Sequence, residues 1–283
     1  MSVLLMTVWL TGCVQEEFES TPSPAGNGIR FTLTVPDVNL PSVSSRTMTG
    51  TGTAKKEDEI ETVDILVFDM SKTPAVYLEW VSATGVTQDL ADNSTVSFSA
   101  VLSPTTASTC IVVVANKELD NIVSGFMKGT TTKVEAMEKM LHTQTGKWLA
   151  DGSTTDGYTR IPMYGEKVIS KITPSMNPIT EINMKRMLAR IDIRNNSATS
   201  NFTVEEVYLA NYNTTGYIAP AWNTNGQVTD PVPDTPVLPA GSGKMTEEGD
   251  VIRYSVNGNT PYDGEIYTFE SLAAEDAGGA GAD

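Results

Sequence analysis

Residues 29–35 read IRFTLTV, an alternation of apolar and polar residues that is the clearest strand signal in the chain. Successive side chains of a β-strand point to opposite faces of the sheet, so this pattern predicts a half-buried strand. Its apolar face consists of Ile29, Phe31, Leu33 and Val35. Residues 20–27, directly before it, are rich in Ser, Thr, Pro and Gly, which predicts a flexible tether leading into the strand.

Further strands are predicted along the rest of the chain, where short apolar runs are separated by turn-forming Asn, Asp, Gly and Pro. These runs are residues 60–69, 76–80, 95–100, 110–115, 184–193, 204–212, 251–256 and 265–270. One helix is predicted over residues 132–148, with its Met and Trp stripe packed against a sheet. Residues 230–236 are Pro-rich and are expected to form a surface loop. Many short strands and few helices predict a mainly β fold of two β-sandwich domains with one or two short helices.

The chain begins with a short apolar run, residues 3–10, which leads into Leu10-Thr11-Gly12-Cys13. This ending resembles the lipobox of bacterial lipoproteins, which implies cleavage before Cys13 and lipidation of its thiol. The run is shorter than the roughly 20 apolar residues of a membrane-spanning helix, so we expect an anchored protein. No Lys or Arg precedes Cys13, so the signal peptide is expected to lack its basic region here. The alternative is a free cysteine after a fragment of a signal peptide or a stub of a transmembrane helix.

The chain has 283 residues and a formal net charge of −16, which disfavours binding to a phosphate backbone and so argues against a nucleic-acid partner. Residues 15–19 are acidic and resemble the signal that sends Bacteroidota lipoproteins to the outside of the outer membrane. A solvated tether is the alternative interpretation. Cys110 is the only other cysteine and lies in an apolar run, so we predict a small buried hydrophobic residue and no disulfide.

Nothing in the sequence favours an enzyme or implies a cofactor or a metal. The single histidine, His142, falls within the predicted helix, and no nucleophile elbow, phosphate loop or dinucleotide motif accompanies it. The acidic residues 57–59 are interpreted as a charged strand entrance, with calcium binding as the alternative. Trp80, Trp148 and Trp222 leave a surface glycan-binding protein or glycosidase as a less favoured possibility.

The order of several motifs resembles the fimbrillin family of Bacteroidota, whose members are subunits of pili. The motifs are the lipobox, Ser45-Arg46-Thr47, and residues 63–69, 112–116, 161–165, 187–193 and 209–212. The likeness runs from Cys13 to about residue 270. It implies two tandem transthyretin-like sandwiches: residues 1–12 would be a signal peptide, 13–46 a lipidated propeptide, 47–183 the first sandwich and 184–283 the second. The small residues of 277–283 have little strand propensity, so the second sandwich is expected to be incomplete.

The resemblance also implies a mode of assembly. An arginine-specific protease would cut between Arg46 and Thr47 and so remove the strand that carries Ile29, Phe31, Leu33 and Val35. Another fimbrial subunit would then insert a strand into the exposed groove, head to tail, and build a filament on the outer-membrane surface. The alternative is a non-polymerising anchor or tip adhesin that keeps its lipid anchor, because no donor strand is evident near residue 283. A host or bacterial surface ligand is a further possible partner.

Overall fold

The computed structural model describes residues 28–35, 58–88, 95–144, 146–148, 159–193, 205–229, 237–240, 251–255 and 262–271. The strands in the first half of the chain are β1 (Ile29–Thr34), β2 (Val63–Asp69), β3 (Val76–Ser82), β4 (Thr84–Gln88), β5 (Thr95–Ala100), β6 (Thr109–Ala115) and β7 (Leu141–Thr143). Those in the second half are β8 (Met163–Ile169), β9 (Ile179–Asn183), β10 (Lys185–Arg186), β11 (Ala189–Ile193), β12 (Glu206–Leu209), β13 (Thr215–Tyr217), β14 (Ile252–Ser255) and β15 (Tyr262–Thr268). The helices are α1 (Asp120–Val123) and α2 (Lys133–Lys139). The predicted mainly β fold with one or two short helices is confirmed.

Two sheets form the main body of the molecule. A five-stranded antiparallel sheet has the order β10-β8-β6-β2-β3, and a four-stranded sheet has the order β4-β5-β1-β9. Ile65 and Val67 of β2 pack in one core cluster with the four-stranded sheet, whereas Leu66 and Phe68 pack in a second cluster with helix α2. The five-stranded sheet is therefore covered on both faces, which explains why β2 and β6 are nearly continuous apolar runs.

The predicted helix over residues 132–148 is wrong in its extent. Helix α2 ends at Lys139, and the chain enters strand β7, which pairs with β13. The start of the helix is well defined, because Thr132 and Glu135 form a reciprocal capping box. Its end is set by a partner distant in sequence, since Thr143 pairs with Thr215 across the two strands. His142 consequently lies in a strand and not on a helix, and Trp148 lies beyond it.

The second half of the chain builds smaller sheets. Strands β11 and β15 form one pair and β12 and β14 another, and a small core cluster holds Tyr212, Ile252, Tyr254 and Ile266. Contacts cross the predicted boundary between residues 183 and 184, because β10 pairs with β8 and β13 pairs with β7. The division into two domains at this point stays a prediction. Among the described residues, no helix is long and apolar enough to cross a membrane.

Candidate functional site

Strand β1 occupies the middle of the four-stranded sheet. It pairs antiparallel with β5 over six residue pairs, from Ile29 opposite Ala100 to Thr34 opposite Thr95. On its other edge it runs parallel to β9, and the backbone carbonyl of Thr34 accepts a hydrogen bond of 2.9 Å from the amide of Met184. We call the space between β5 and β9 the β1 slot. Strand β1 thus satisfies hydrogen-bonding groups on two neighbours at once.

The four residues predicted to form the apolar face of this strand are buried in the slot. Ile29, Phe31, Leu33 and Val35 are 4%, 1%, 0% and 1% exposed. The rings of Phe31 and Phe98 stack with centroids 5.0 Å apart and planes inclined by 6°. Arg30 and Thr34 are exposed, as the alternation predicts. Burial of each apolar side chain contributes about 1.5–3 kcal/mol, so only a strand with matching side chains could replace β1 without loss.

After strand β1, the described chain resumes at residue 58. We call residues 58–62 the re-entry segment. The side chain of Asn116 donates hydrogen bonds to the carbonyls of Glu59 (2.8 Å) and Ile161 (3.0 Å) and accepts one from the amide of Glu61 (3.0 Å). Gln88 likewise accepts from the amide of Ile60 (3.0 Å) and donates to the carbonyl of Asp58 (2.7 Å). The segment is therefore held by its backbone to β4 and to the end of β6.

Ion pairs strengthen the same segment. Arg160 lies 3.2 Å from the carboxylate of Glu59 and 2.6 Å from that of Glu61, and Arg186 pairs with Asp58. These contacts agree with the interpretation of residues 58 and 59 as a charged strand entrance; residue 57 lies outside the described residues. In the part of the chain that the structure describes, no group of acidic, His or Cys residues could hold a metal ion.

A second polar cluster lies in the interior. Lys133 is fully buried, and its Nζ lies 2.6 Å from Oε2 of Glu166, which also accepts a hydrogen bond of 2.5 Å from the hydroxyl of Tyr164. Burial, followed by the charge of Glu166, raises the pKa of Tyr164 well above its usual value. Burial also raises the pKa of Cys110 to about 12, so its thiol stays protonated, as expected of a structural residue. The cluster ties helix α2 to the five-stranded sheet.

The remaining candidates for chemistry are packing residues. His142 lies 5.0 Å from the ring of Trp148 and 6.4 Å from that of Phe269, and burial lowers its pKa. Trp148 is buried and donates a hydrogen bond of 2.9 Å to the carbonyl of Thr159. Trp80 and Trp222 are half-buried against the same core. These aromatic residues do not form an exposed platform for a glycan.

Sequence reasoning placed β1 but missed the residues that hold the re-entry segment. Asn116 has a positive φ of 58° directly after a buried strand, and an Asn at such a position is a signal for a turn with special backbone geometry. Arg160 and Arg186 carry no comparable local signal. The lipidation and cleavage candidates, Cys13, Arg46 and Thr47, lie outside the described residues, as do residues 230–236.

The chain matches one protein family and resembles two solved structures. No curated protein sequence matches it. Two solved structures from Parabacteroides distasonis ATCC 8503 are similar. A candidate cell adhesion protein has 16% identity and a TM-score of 0.47, covering 89% of this chain and 73% of that one. A fimbrial assembly protein has 11% identity and a TM-score of 0.40, covering 86% and 77%. The family model described as "Fimbrillin-A associated anchor proteins Mfa1 and Mfa2" matches residues 21–274, which is most of the chain and includes strand β1.

Proposed function

Because the chain belongs to the family of fimbrillin-A associated anchor proteins Mfa1 and Mfa2, we propose that it is a structural subunit of surface fimbriae, exported as an outer-membrane lipoprotein and joined to other subunits by strand exchange. Membership of the family makes it a fimbria-associated protein. The proposal adds three steps: lipidation at Cys13, proteolysis between Arg46 and Thr47, and replacement of strand β1 by a strand from another subunit. The role is structural and not catalytic.

The central position of β1 carries this proposal. Loss of a middle strand leaves two unpaired edges, on β5 and β9, and opens an apolar groove lined by residues such as Phe98. Unpaired edges of this kind readily take up another strand. Strand addition from a neighbour restores both the backbone ladder and the side-chain contacts. Each subunit would have one slot and fill one other, so the contact is head to tail and extends into a filament.

The re-entry segment supports the position of the cut. A break between Arg46 and Thr47 separates β1 from the main body, whose first described contacts begin at residue 58. Asn116, Gln88 and Arg160 hold residues 58–62 without any help from β1. The body should therefore keep its five-stranded sheet when the propeptide leaves, and only the four-stranded sheet loses a member.

Mass spectrometry of outer-membrane and sheared-surface fractions tests the proposal. A mature N-terminus at Thr47 in the sheared fraction, absent from an Arg46→Ala variant, would support cleavage-triggered assembly. A matched Arg30→Ala variant should be processed like the unmodified chain. If acylated Cys13 were the only N-terminus in every fraction, the strand-exchange mechanism would be dropped.

A second candidate is an anchor, or a tip adhesin, that keeps its lipid and does not polymerise. The family's name, which refers to anchor proteins, favours it. In this case β1 would stay in its slot, and the protein would hold other fimbrial subunits at the membrane surface. Recovery of the chain only from the membrane fraction, with residues 29–35 attached to the body, would identify this role.

A further inference from the structure

Strand β14 repeats the sequence of strand β1. Residues 252–256 read IRYSV and residues 29–33 read IRFTL. The first two residues are identical, the third is aromatic in both, the fourth carries a hydroxyl in both, and the fifth is aliphatic in both. The two segments therefore offer the same kind of side chain at each of five successive positions.

The structure gives the two segments the same pattern of burial. Ile252 and Tyr254 are 6% and 0% exposed, and Arg253 between them is exposed. Ile29 and Phe31 are buried in the same way on either side of exposed Arg30. Over the first three matched positions, the two strands therefore alternate between buried and exposed residues in the same order.

The two strands are described with different partners. Strand β1 has a neighbour on each edge and packs in a large core cluster. Among the described residues, strand β14 pairs with β12 over four residue pairs, and Ile252 and Tyr254 pack with Tyr212 and Ile266. Transfer of β14 to another molecule would exchange these contacts for those of the β1 slot.

We propose that the β1 slot, once vacated, accepts strand β14 of a second copy of this chain; this inference rests on the proposed function. In the register of β1, Ile252 would lie opposite Ala100, the ring of Tyr254 would stack on Phe98, and residue 256 would lie opposite Val96. Gly258 would fall at the position of Val35 and leave that pocket unfilled, so β14 would bind less tightly than β1. The backbone of β14 would complete the ladders of β5 and β9. Each copy has one slot and one β14, so the contact propagates head to tail.

A second copy fits better than the same molecule. Strand β15 follows β14 after only six residues, and Tyr267 and Phe269 at its end pack in the cluster on the far face of the five-stranded sheet. The β1 slot lies on the near face of that sheet. The six residues between β14 and β15 span at most about 20 Å. Because packed sheets lie about 10 Å apart, β14 could reach the slot of its own molecule only if this short link passed around the edge of the five-stranded sheet.

Tyr254 makes the proposal specific. Phe31 is 1% exposed in the slot, so a tyrosine hydroxyl at its position would be buried among apolar groups. Burying a hydroxyl without a matched partner weakens binding, so replacing Tyr254 by Phe should tighten the interaction about tenfold. Replacing it by Asp should abolish the interaction.

Peptide exchange on the cut chain tests this directly. The full chain with Cys13→Ala is cleaved after Arg46 by an arginine-specific protease. The protease is then inactivated, because both peptides contain an arginine, and the cut chain is incubated with synthetic peptides of residues 28–35 or 251–258. Exchange is followed by fluorescence anisotropy of the labelled peptide and by mass spectrometry of the released fragment. We expect both peptides to enter the slot, the Tyr254→Phe peptide to bind about tenfold more tightly, and an Ile252→Asp/Tyr254→Asp peptide not to bind.

The outcomes separate the two proposals. If the 28–35 peptide exchanges and the 251–258 peptide does not, the inference about β14 is overturned and strand exchange stands. If neither peptide exchanges, the proposed function itself fails. As a second measurement, the cut full chain should form oligomers in light scattering. The cut Tyr254→Asp chain should stay monomeric while its slot still binds the 251–258 peptide. Oligomers of the Tyr254→Asp chain, or a monomeric unmodified chain, would rule out β14 of a second copy as the donor.

Discussion

At the scale of single residues, the stacked rings of Phe31 and Phe98 join β1 to its neighbour β5. Phe31→Ala should lower the free energy of unfolding by about 3–5 kcal/mol, because it leaves a cavity in a fully buried site. Chemical denaturation measures the loss. Thr34→Ala, an exposed change in the same strand, is the matched control and should shift stability by less than about 0.5 kcal/mol. Equal effects of the two changes would contradict the burial of β1.

Lys133 and Glu166 should behave as a coupled pair. Glu166→Gln leaves a fully buried ammonium without its counter-charge, so we expect a loss of about 3–5 kcal/mol. Lys133→Met combined with Glu166→Gln should recover part of that loss, because no buried charge is then left unpaired. A double-mutant cycle by urea unfolding gives the coupling energy. Additive effects would mean that the two side chains do not interact.

His142 gives the protein a dependence on pH. Burial lowers its pKa from 6.5, so the folded protein holds this proton less tightly than the unfolded chain does. Its contribution to stability is present above about pH 6.5 and is lost as the pH falls through the lower value of the folded state. The melting temperature should fall less on acidification from neutral pH in His142→Phe than in the unmodified chain. Parallel melting curves as a function of pH would contradict this assignment.

The burial of residues could be predicted only where the sequence carries a local pattern. Alternation identified the apolar face of β1, and an unbroken apolar run identified Cys110 as buried. Lys133 carries no such signal, because a lysine in the first turn of a helix is usually solvated. Its burial depends on Glu166 of β8, which is 33 residues away in the sequence.

At the scale of elements, the re-entry segment should depend on one side chain. Asn116→Ala removes three hydrogen bonds and places an alanine at a positive φ of 58°. We expect a loss of about 2–4 kcal/mol and faster amide exchange at residues 59–62. Asn121→Ala, an exposed change in helix α1, is the control. Unchanged exchange at Glu61 would show that Asn116 does not hold the segment.

Elements could be predicted to the extent that their limits are set locally. The capping box of Thr132 and Glu135 is visible in the sequence and marks the start of helix α2. The end of that helix is not visible, because β7 exists only through its pairing with β13, more than 70 residues later. Strands β9 and β13 were missed for the same reason, since each is short and depends on a distant partner.

At the scale of the whole molecule, an arginine-specific protease should cut at Arg46, before the re-entry segment, sooner than at Arg160 or Arg186 within the body. Arg160 and Arg186 are 25% and 15% exposed and form ion pairs, which protects them from a protease. Arg46 lies in a segment rich in Ser, Thr and Gly, a composition that favours cleavage. Brief digestion with an arginine-specific protease, followed by mass spectrometry, should give a cut at Arg46 before any cut at Arg160 or Arg186. An earliest cut at Arg160 or Arg186 would contradict this expectation.

The mainly β architecture could be predicted because it follows from many short strand signals added together. The assembly of the two halves could not, since the pairings of β10 with β8 and of β13 with β7 leave no periodic trace in the sequence. The small sheets of the second half, which include β14, likewise depend on partners far away in the chain.

The two-sided pairing of the strand in the β1 slot has a mechanical consequence. A pull directed along this strand loads the ladders with β5 and β9 in shear, so that all their hydrogen bonds resist together. A pull across the strand would instead unzip the bonds one after another. Force spectroscopy on the full chain should therefore show a higher rupture force when β1 is drawn along its length than when it is peeled sideways. A filament built through this slot would resist most strongly a pull directed along the inserted strand.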